Sequence, residues 1–264
     1  MMLGSRTAAW AKSGYTAKDY IQDGLVAMWD GIENAGWGVH DHAATSWKDL
    51  VGTNDLTLSK SPVSENIGWW TDKSYFSPYK VARTVGNCFV RRGVISQDFV
   101  NCVNSANLTA EICFKTLASY THNPGFFRAY ESSYTQLVLL IWANNFSFRG
   151  EGWYPATAAR GVLNWKKGEF TTCSYRAYGI DSYADGFNSS TGEMQQRTAT
   201  TSSSSPSITT GGTIVLNSQS QTDYDSLQGE MYCVRLYNRA LTDQEIAANY
   251  AIDKARFNLP DKTI

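Results

Sequence analysis

The segment Gly229–Tyr250, GEMYCVRLYNRALTDQEIAANY, restricts the fold of this chain more than any other stretch. Its first half alternates, with Tyr232, Val234 and Leu236 on one side and Met231, Cys233, Arg235 and Tyr237 on the other. A period of two with β-branched and aromatic content predicts a strand. Asn238–Leu241 breaks the period. Thr242 then stands three residues before Glu245, the spacing of a capping box. A short helix is expected from about Asp243 into the 250s, with Ile246, Ala247 and Tyr250 on one face.

Upstream, strand patterns and turn signals recur with essentially no other good helix. Leu25–Asp30 is an apolar strand. Trp47–Leu50, Gly52 and Asn54–Leu58 give a turn and a strand. Val81–Val90 and Gly93–Phe99 are read as strands. In Asn107–Ser119, Leu108, Ala110, Ile112 and Phe114 alternate with polar residues. Leu137–Trp142 is a continuous apolar run, and Phe146 and Phe148 follow a turn at Asn144-Asn145, so the two segments predict a hairpin. Glu169–Tyr178 and Gly211–Asn217 complete the strand set. Asp185-Gly186 is read as a tight hairpin turn. Many short strands with frequent turns call for two packed antiparallel sheets.

With these elements placed, a resemblance becomes visible. The closing segment resembles that of LamG-like domains of the concanavalin A-like lectin/glucanase superfamily, whose last strand reads G-x-apolar-x-x-V-R-apolar-Y-N-R-A-L before T/S-x-x-E-I. Asp49, Gly52, Asn54, Leu56 and Leu58 are similar to a D-x-x-G-x-N-x-L-x-L element of the family, and Tyr183-Ala184-Asp185-Gly186 to its Y-v-D-G. Phe170 departs from the pattern where the family commonly has Trp. The resemblance implies an all-β fold: a two-sheet antiparallel jelly-roll sandwich, concanavalin A-like, with one short C-terminal helix. It spans residues 25–257, leaving 1–24 as an N-terminal arm, a candidate attachment segment with Thr16 capping a helical turn, and 258–264 as a tail.

Composition excludes several function classes. The net charge is −1 and no basic run exceeds two residues, so nucleic acid is not an expected partner. No apolar run reaches membrane-spanning length, and the N-terminus lacks the apolar core of a signal peptide. The 5 cysteines form no CxxC pair and sit in strand-like runs, which predicts buried free thiols. Aromatic residues make up 13% of the chain, including 9 Trp; a sandwich core absorbs many of these, and an excess also suits sugar-binding faces.

The residues do not point to catalysis. Superfamily hydrolases carry E-x-D-x-E on one strand; here Glu111 and Glu230 are isolated on theirs. His40-Asp41-His42 is the one mixed-ligand cluster and is read as a surface loop. The resemblance implies calcium as the more usual ion. Asp49, Asp55, Asp223 and Asp225 are of the right type, but they form no recognisable ligand set, so no cofactor is assigned. The expected function is therefore a non-catalytic recognition module for a glycan or protein surface. Candidate contact residues are Trp37, Trp69, Trp70, Trp153 and Tyr154 in loops, with Asn145 and Arg149 beside them. Alternatives are a glycoside hydrolase or lyase on the same fold and a purely structural interaction protein. The arm and the missing leader suggest a bacteriophage virion component (fibre, decoration or adhesin) or a bacterial cell-surface protein, with the arm contacting other copies or virion proteins.

Overall fold

In chain order, the elements are β1 (Leu25–Asp30), β2 (Ser46–Trp47), β3 (Leu56–Leu58), β4 (Phe89–Arg92), α1 (Gln97–Ser105), β5 (Asn107–Thr116), β6 (Gly125–Glu131), β7 (Tyr134–Trp142), β8 (Asn145–Arg149), β9 (Gly161–Leu163), β10 (Phe170–Tyr178), β11 (Tyr183–Asn188), β12 (Glu193–Thr198), β13 (Thr213–Leu216), β14 (Gly229–Tyr237) and α2 (Asp243–Phe257). The structure is a computed structural model describing residues 14–58, 69, 89–116, 125–131, 134–142, 145–149, 161–163, 168–179, 183–198, 207–217 and 229–257. For 92, 134–142, 145–149, 161–163 and 195–198 it describes the backbone. Two sheets form, one of six strands in the order β1-β14-β5-β10-β11-β12 and one of eight, β2-β3-β4-β13-β6-β7-β8-β9. The strand pairings within them are antiparallel.

Alternation explains how the sheets stack. Leu108, Ala110, Ile112 and Phe114 of β5 enter one core with Phe126, Phe127 and Ala129 of β6 and Ile214 and Leu216 of β13. Phe114 and Phe126 meet across the sheets at 4.3 Å between ring centroids. The shared core is that of a β-sandwich. Trp47 stands edge-on to Trp69 at 5.2 Å and packs on Phe89 at 5.3 Å. Trp29, Trp47 and Trp69 each donate their indole N–H to a backbone carbonyl, of Asn54, Asp30 and Ala44. Their burial thus leaves no unpaired donor.

Four expectations are corrected. Residues 93–99 do not form a strand: α1 occupies Gln97–Ser105, with Ser96 Oγ accepting from Phe99 N and with Phe99, Val100, Cys102 and Val103 buried. That spacing is helical, and the cap at Ser96 starts it. Asp185-Gly186 is no turn either: both lie inside β11, paired with β10 on one side and β12 on the other. The turn comes after Asn188, whose side chain accepts from Ser190 N and whose carbonyl accepts from Gly192 N. In β14 a bulge between Met231 and Cys233 shifts the parity, so Met231 joins Val234 and Leu236 in the core while Tyr232 and Cys233 share the opposite face. Finally, α2 buries Ile246, Asn249, Ile252, Asp253, Arg256 and Phe257, leaving Ala247 exposed and Tyr250 half-buried.

Half of the buried face of α2 is polar (Asn249, Asp253, Arg256), and the outer face of the six-stranded sheet answers it. Arg235 on β14 donates to Asp253 at 2.7 and 2.8 Å and to Glu111 on β5 at 2.9 Å. Asn249 donates to Glu111 and Tyr237. Arg256 pairs with Asp30 at 2.7 Å and with Glu33 at 3.2 Å. Burial pushes the Glu111 carboxyl up, and the Arg235 charge pulls it back. The expected capping box is present: Thr242 Oγ1 accepts from Glu245 N, and Glu245 accepts from Thr242 N.

Packing begins upstream of Leu25. The turn Ala17–Asp19 is capped by Thr16, as expected, and Tyr20 is buried with its hydroxyl donating to Asp253 at 2.8 Å. Gly24, at φ +78°, lies where an added Cβ would come within 2.9 Å of Asn238 Oδ1. No helix among the described residues is long and apolar enough to cross a membrane.

Candidate functional site

The outer face of β10 and β11 meets the N-terminus of α2 in a cleft of about 390 Å³. Along β10, Cys173, Tyr175 and Ala177 enter the core. Arg176 and Tyr178 therefore face the other way. Arg176 lies directly opposite Asp185 in the ladder. Two parallel bonds join them, Nε to Oδ1 at 2.7 Å and Nη2 to Oδ2 at 2.9 Å, the fork geometry an arginine favours with a carboxylate. Nη1 donates to the Leu241 carbonyl at 2.9 Å and to Asp243 Oδ1 at 2.6 Å. Nη2 also reaches the Met194 sulfur at 3.7 Å. All five guanidinium donors thus have partners.

Two rings line the cleft beside this cluster. Tyr178 and Tyr183 stack at 4.2 Å with an interplanar angle of 24°. The Tyr178 hydroxyl donates to Asp185 Oδ2 at 3.2 Å. Burial and the Asp185 charge push the Tyr178 phenol up, which keeps it a neutral donor. Burial disfavours the Arg176 charge, but the Asp185 hydrogen bonds and charge outweigh this and hold its pKa above the ordinary value. Met194 and Asp243 are the exposed members, and 67% of the Asp243 side chain is open to solvent.

Of the sequence-derived contact residues, neither Trp37 nor Trp69, the two whose side chains are described, lines this cleft. Trp69 is 7% exposed and sits within the Trp47–Phe89 core, which leaves it no ring face for a ligand. Trp37 is 37% exposed, with the Lys18 ammonium 5.5 Å from its ring. Asn145 and Arg149 end β8. Trp70, Trp153 and Tyr154 lie outside the described residues. The cleft was nearly legible in one respect: Arg176 and Tyr178 stand two apart on a strand, a charge and a ring on one face. Asp185 was hidden by its reading as a turn.

The described Asp49, Asp55, His40, Glu111 and Glu230 are engaged in structural contacts. The Asp49 carboxylate accepts from the backbone N–H of Met28, Val51, Gly52 and Asn54 and from the Asn54 side chain. The network gives Asp49, Gly52 and Asn54 a shared role in this turn. Asp55 pairs with Lys48. His40 Nδ1 lies 2.8 Å from the Ile32 carbonyl and fixes its loop. Among the described residues no group of three potential ligands converges, and Asp223 and Asp225 lie outside them. Glu111 is buried against Arg235, and Glu230 is buried with the Tyr232 hydroxyl donating to it. Glu230 lies opposite Lys115, four residues along β5 from Glu111. That is a backbone separation of roughly 13 Å, and each carboxylate is engaged by a neighbour of its own.

No protein-family model matches the chain, and no curated protein does either. Solved structures do match. Trypanosoma rangeli sialidase in complex with sialic acid aligns with a TM-score of 0.57 and 15% identity, covering 88% of this chain and 33% of that one. The binding domain of botulinum neurotoxin serotype D aligns at 0.56 and 12% identity, covering 88% and 52%. The binding domain of botulinum neurotoxin DC, solved with rat synaptotagmin II, aligns at 0.58 and 6% identity, covering 89% and 52%. The chain thus spans a third of the sialidase and about half of each toxin domain, and at these identities the likeness shows the fold alone. It also corrects the expectation of a chain that is not an enzyme: the same fold occurs within chains named as sialidases, so a role without catalysis is not assigned.

Proposed function

We propose that the chain is a recognition module that binds a glycan or a protein surface through the cleft between β10, β11 and α2. The observation that carries this is the pairing of a fully hydrogen-bonded, buried Arg176 with an outward-facing Asp243 and a stacked tyrosine pair. Such a cluster holds its contact groups rigid before a ligand arrives, which lowers the cost of binding. Its volume lies in the range of ligand pockets, ~300–1,000 Å³. The neighbours named as binding domains, one solved with synaptotagmin II, support a recognition role. Trp37, exposed beneath Lys18 and outside the cleft, is proposed as a separate contact residue.

The finer assignments belong here as well. The closing motif supports a LamG-like jelly-roll identity. Within that motif Arg235 holds α2 on the sheet, Arg239 ties the corner to Glu245, and Thr242 and Glu245 cap the helix. The matches lend no support to a virion setting.

The test is a glycan array together with a panel of immobilised surface proteins, probed with wild type and Tyr183→Ala. Binding that Tyr183→Ala loses, with its melting profile unchanged, is the expected result. Binding that Tyr183→Ala retains in full refutes the assignment to this cleft. Release of sialic acid from sialyllactose, assayed in the same samples, decides catalysis directly.

A further inference from the structure

We propose that the ligand of this cleft is the basic side chain of a protein segment, a guanidinium or ammonium group held between the Tyr183 ring, the Met194 thioether and the free oxygen of Asp243. The inference rests on the recognition reading above and names its chemistry.

Charge decides between acidic and basic ligands. One guanidinium and two carboxylates face each other, Arg176 against Asp185 and Asp243, which leaves a formal charge of −1. An acidic sugar, a phosphate or a carboxylate would need a donor from Arg176. Each of its five N–H groups already has an acceptor: Asp185 takes two bonds, and the Leu241 carbonyl, Asp243 and Met194 take the rest. An anion would have to displace Asp243 and would then meet its carboxylate. A cation meets the opposite situation. Asp243 offers Oδ2, because only Oδ1 accepts from Arg176, and its side chain is two-thirds exposed.

The rings add to this preference. Tyr178 and Tyr183 cover one face of each other, so stacking holds Tyr183 in place as the ligand's wall. Aromatic faces carry negative potential and attract cations. Met194, exposed at the mouth, supplies a polarisable surface for the aliphatic stem of the side chain. A neutral sugar would use the same ring but gains nothing from the net charge. Four of the groups, Arg176, Asp185, Tyr178 and Tyr183, are cross-strand neighbours of one hairpin, and Asp243 reaches them from the start of α2.

The experiment is an NMR titration of the full chain, following the Met194 methyl signal. The probes are a blocked pentapeptide with arginine at its centre and glycine elsewhere, its citrulline counterpart, its glutamate counterpart, and a neutral and a sialylated trisaccharide. The arginine peptide is expected to shift the signal with a Kd on the order of 1 mM, at least about tenfold tighter than the citrulline peptide, which keeps the shape and loses the charge. Asp243→Asn is expected to remove that tenfold preference. Tyr183→Leu is expected to weaken binding of the arginine peptide. Circular dichroism melts of both variants separate a lost contact from a lost fold. Equal binding of the arginine and citrulline peptides overturns the proposal, as does a preference that survives Asp243→Asn. Tighter binding of either trisaccharide overturns the basic-ligand inference and leaves the recognition reading standing. Silence from every probe overturns the basic-ligand inference, and with an empty array it removes both readings.

Discussion

Arg235 is the cation on which the docking of α2 depends, and Arg235→Met measures how much. The guanidinium is buried between Glu111 and Asp253, with 0–1% of these side chains exposed. It also stacks over the Tyr20 ring at 4.1 Å. Methionine fills most of the space but leaves two buried acids facing each other without a cation. Breaking a buried pair in this way costs about 3–5 kcal/mol. For a chain of this size that lowers Tm by roughly 6–20 °C, read by differential scanning calorimetry and by urea denaturation. The triple change Arg235→Met, Glu111→Gln, Asp253→Asn removes the uncompensated charge. It keeps amide partners for Asn249, Tyr20 and Thr172, which now reach Glu111 and Asp253. It is expected to recover more than half of the loss. Arg235→Met melting within about 2 °C of wild type would refute the reasoning. A triple variant no better than the single one would show that shape, not charge, sets the cost.

Other outcomes follow from the same contacts. The Arg239 hydrogen bonds hold Glu245 down to about 2, against an ordinary 4.5. The unfolded chain therefore takes up this proton first. The stabilisation is in full force above about 4.5 and is lost as pH falls through about 2; Glu245→Gln should flatten that part of the Tm–pH curve, and an unchanged acid slope contradicts it. Burial pushes the thiols of Cys102, Cys113, Cys173 and Cys233 up, so iodoacetamide at neutral pH should alkylate them only after unfolding, as mapped by peptide mass spectrometry. An alanine at Gly229 would put its Cβ 2.1 Å from the Lys115 carbonyl oxygen; Gly229→Ala should cost about 1–3 kcal/mol by prying β14 from β5, and a wild-type melt would contradict that close approach. Asp49→Ala strands several N–H donors of the β1 edge and its turn, with an expected loss of about 3 kcal/mol or more, checked by urea titration.

Local chemistry was sufficient for much of the fold. The alternation in β5, the hairpin of β7 and β8, the Thr242–Glu245 box and the Thr16 cap are each written in residues a few positions apart, so the chain announces them without its partners. The buried thiols also followed from their apolar neighbours, for the four that are described. The lapses came where a short pattern had two readings. Ser96 followed by Phe99, Val100 and Val103 fits a helix only if Ser96 is taken as a cap. Asp185-Gly186 reads as a turn until its register partner Arg176 is seen across the strand. The bulge in β14 leaves no local mark at all, yet it turns Tyr232 toward α2.

Sequence alone determined that this chain would be a layered antiparallel β-protein closed by a strand, a corner and a capped helix, because those signals depend on bonds between near neighbours. Tertiary structure alone decided which polar groups are partners. Arg176 meets Asp243 across 67 positions, and Arg235 meets Glu111 across 124. Those distances in sequence vanish only when β14, β5 and β10 join in one sheet and α2 lies down on it. In the cleft, the hairpin of β10 and β11 brings Arg176, Tyr178, Tyr183 and Asp185 together locally, and no spacing along the chain encodes the Asp243 that completes it.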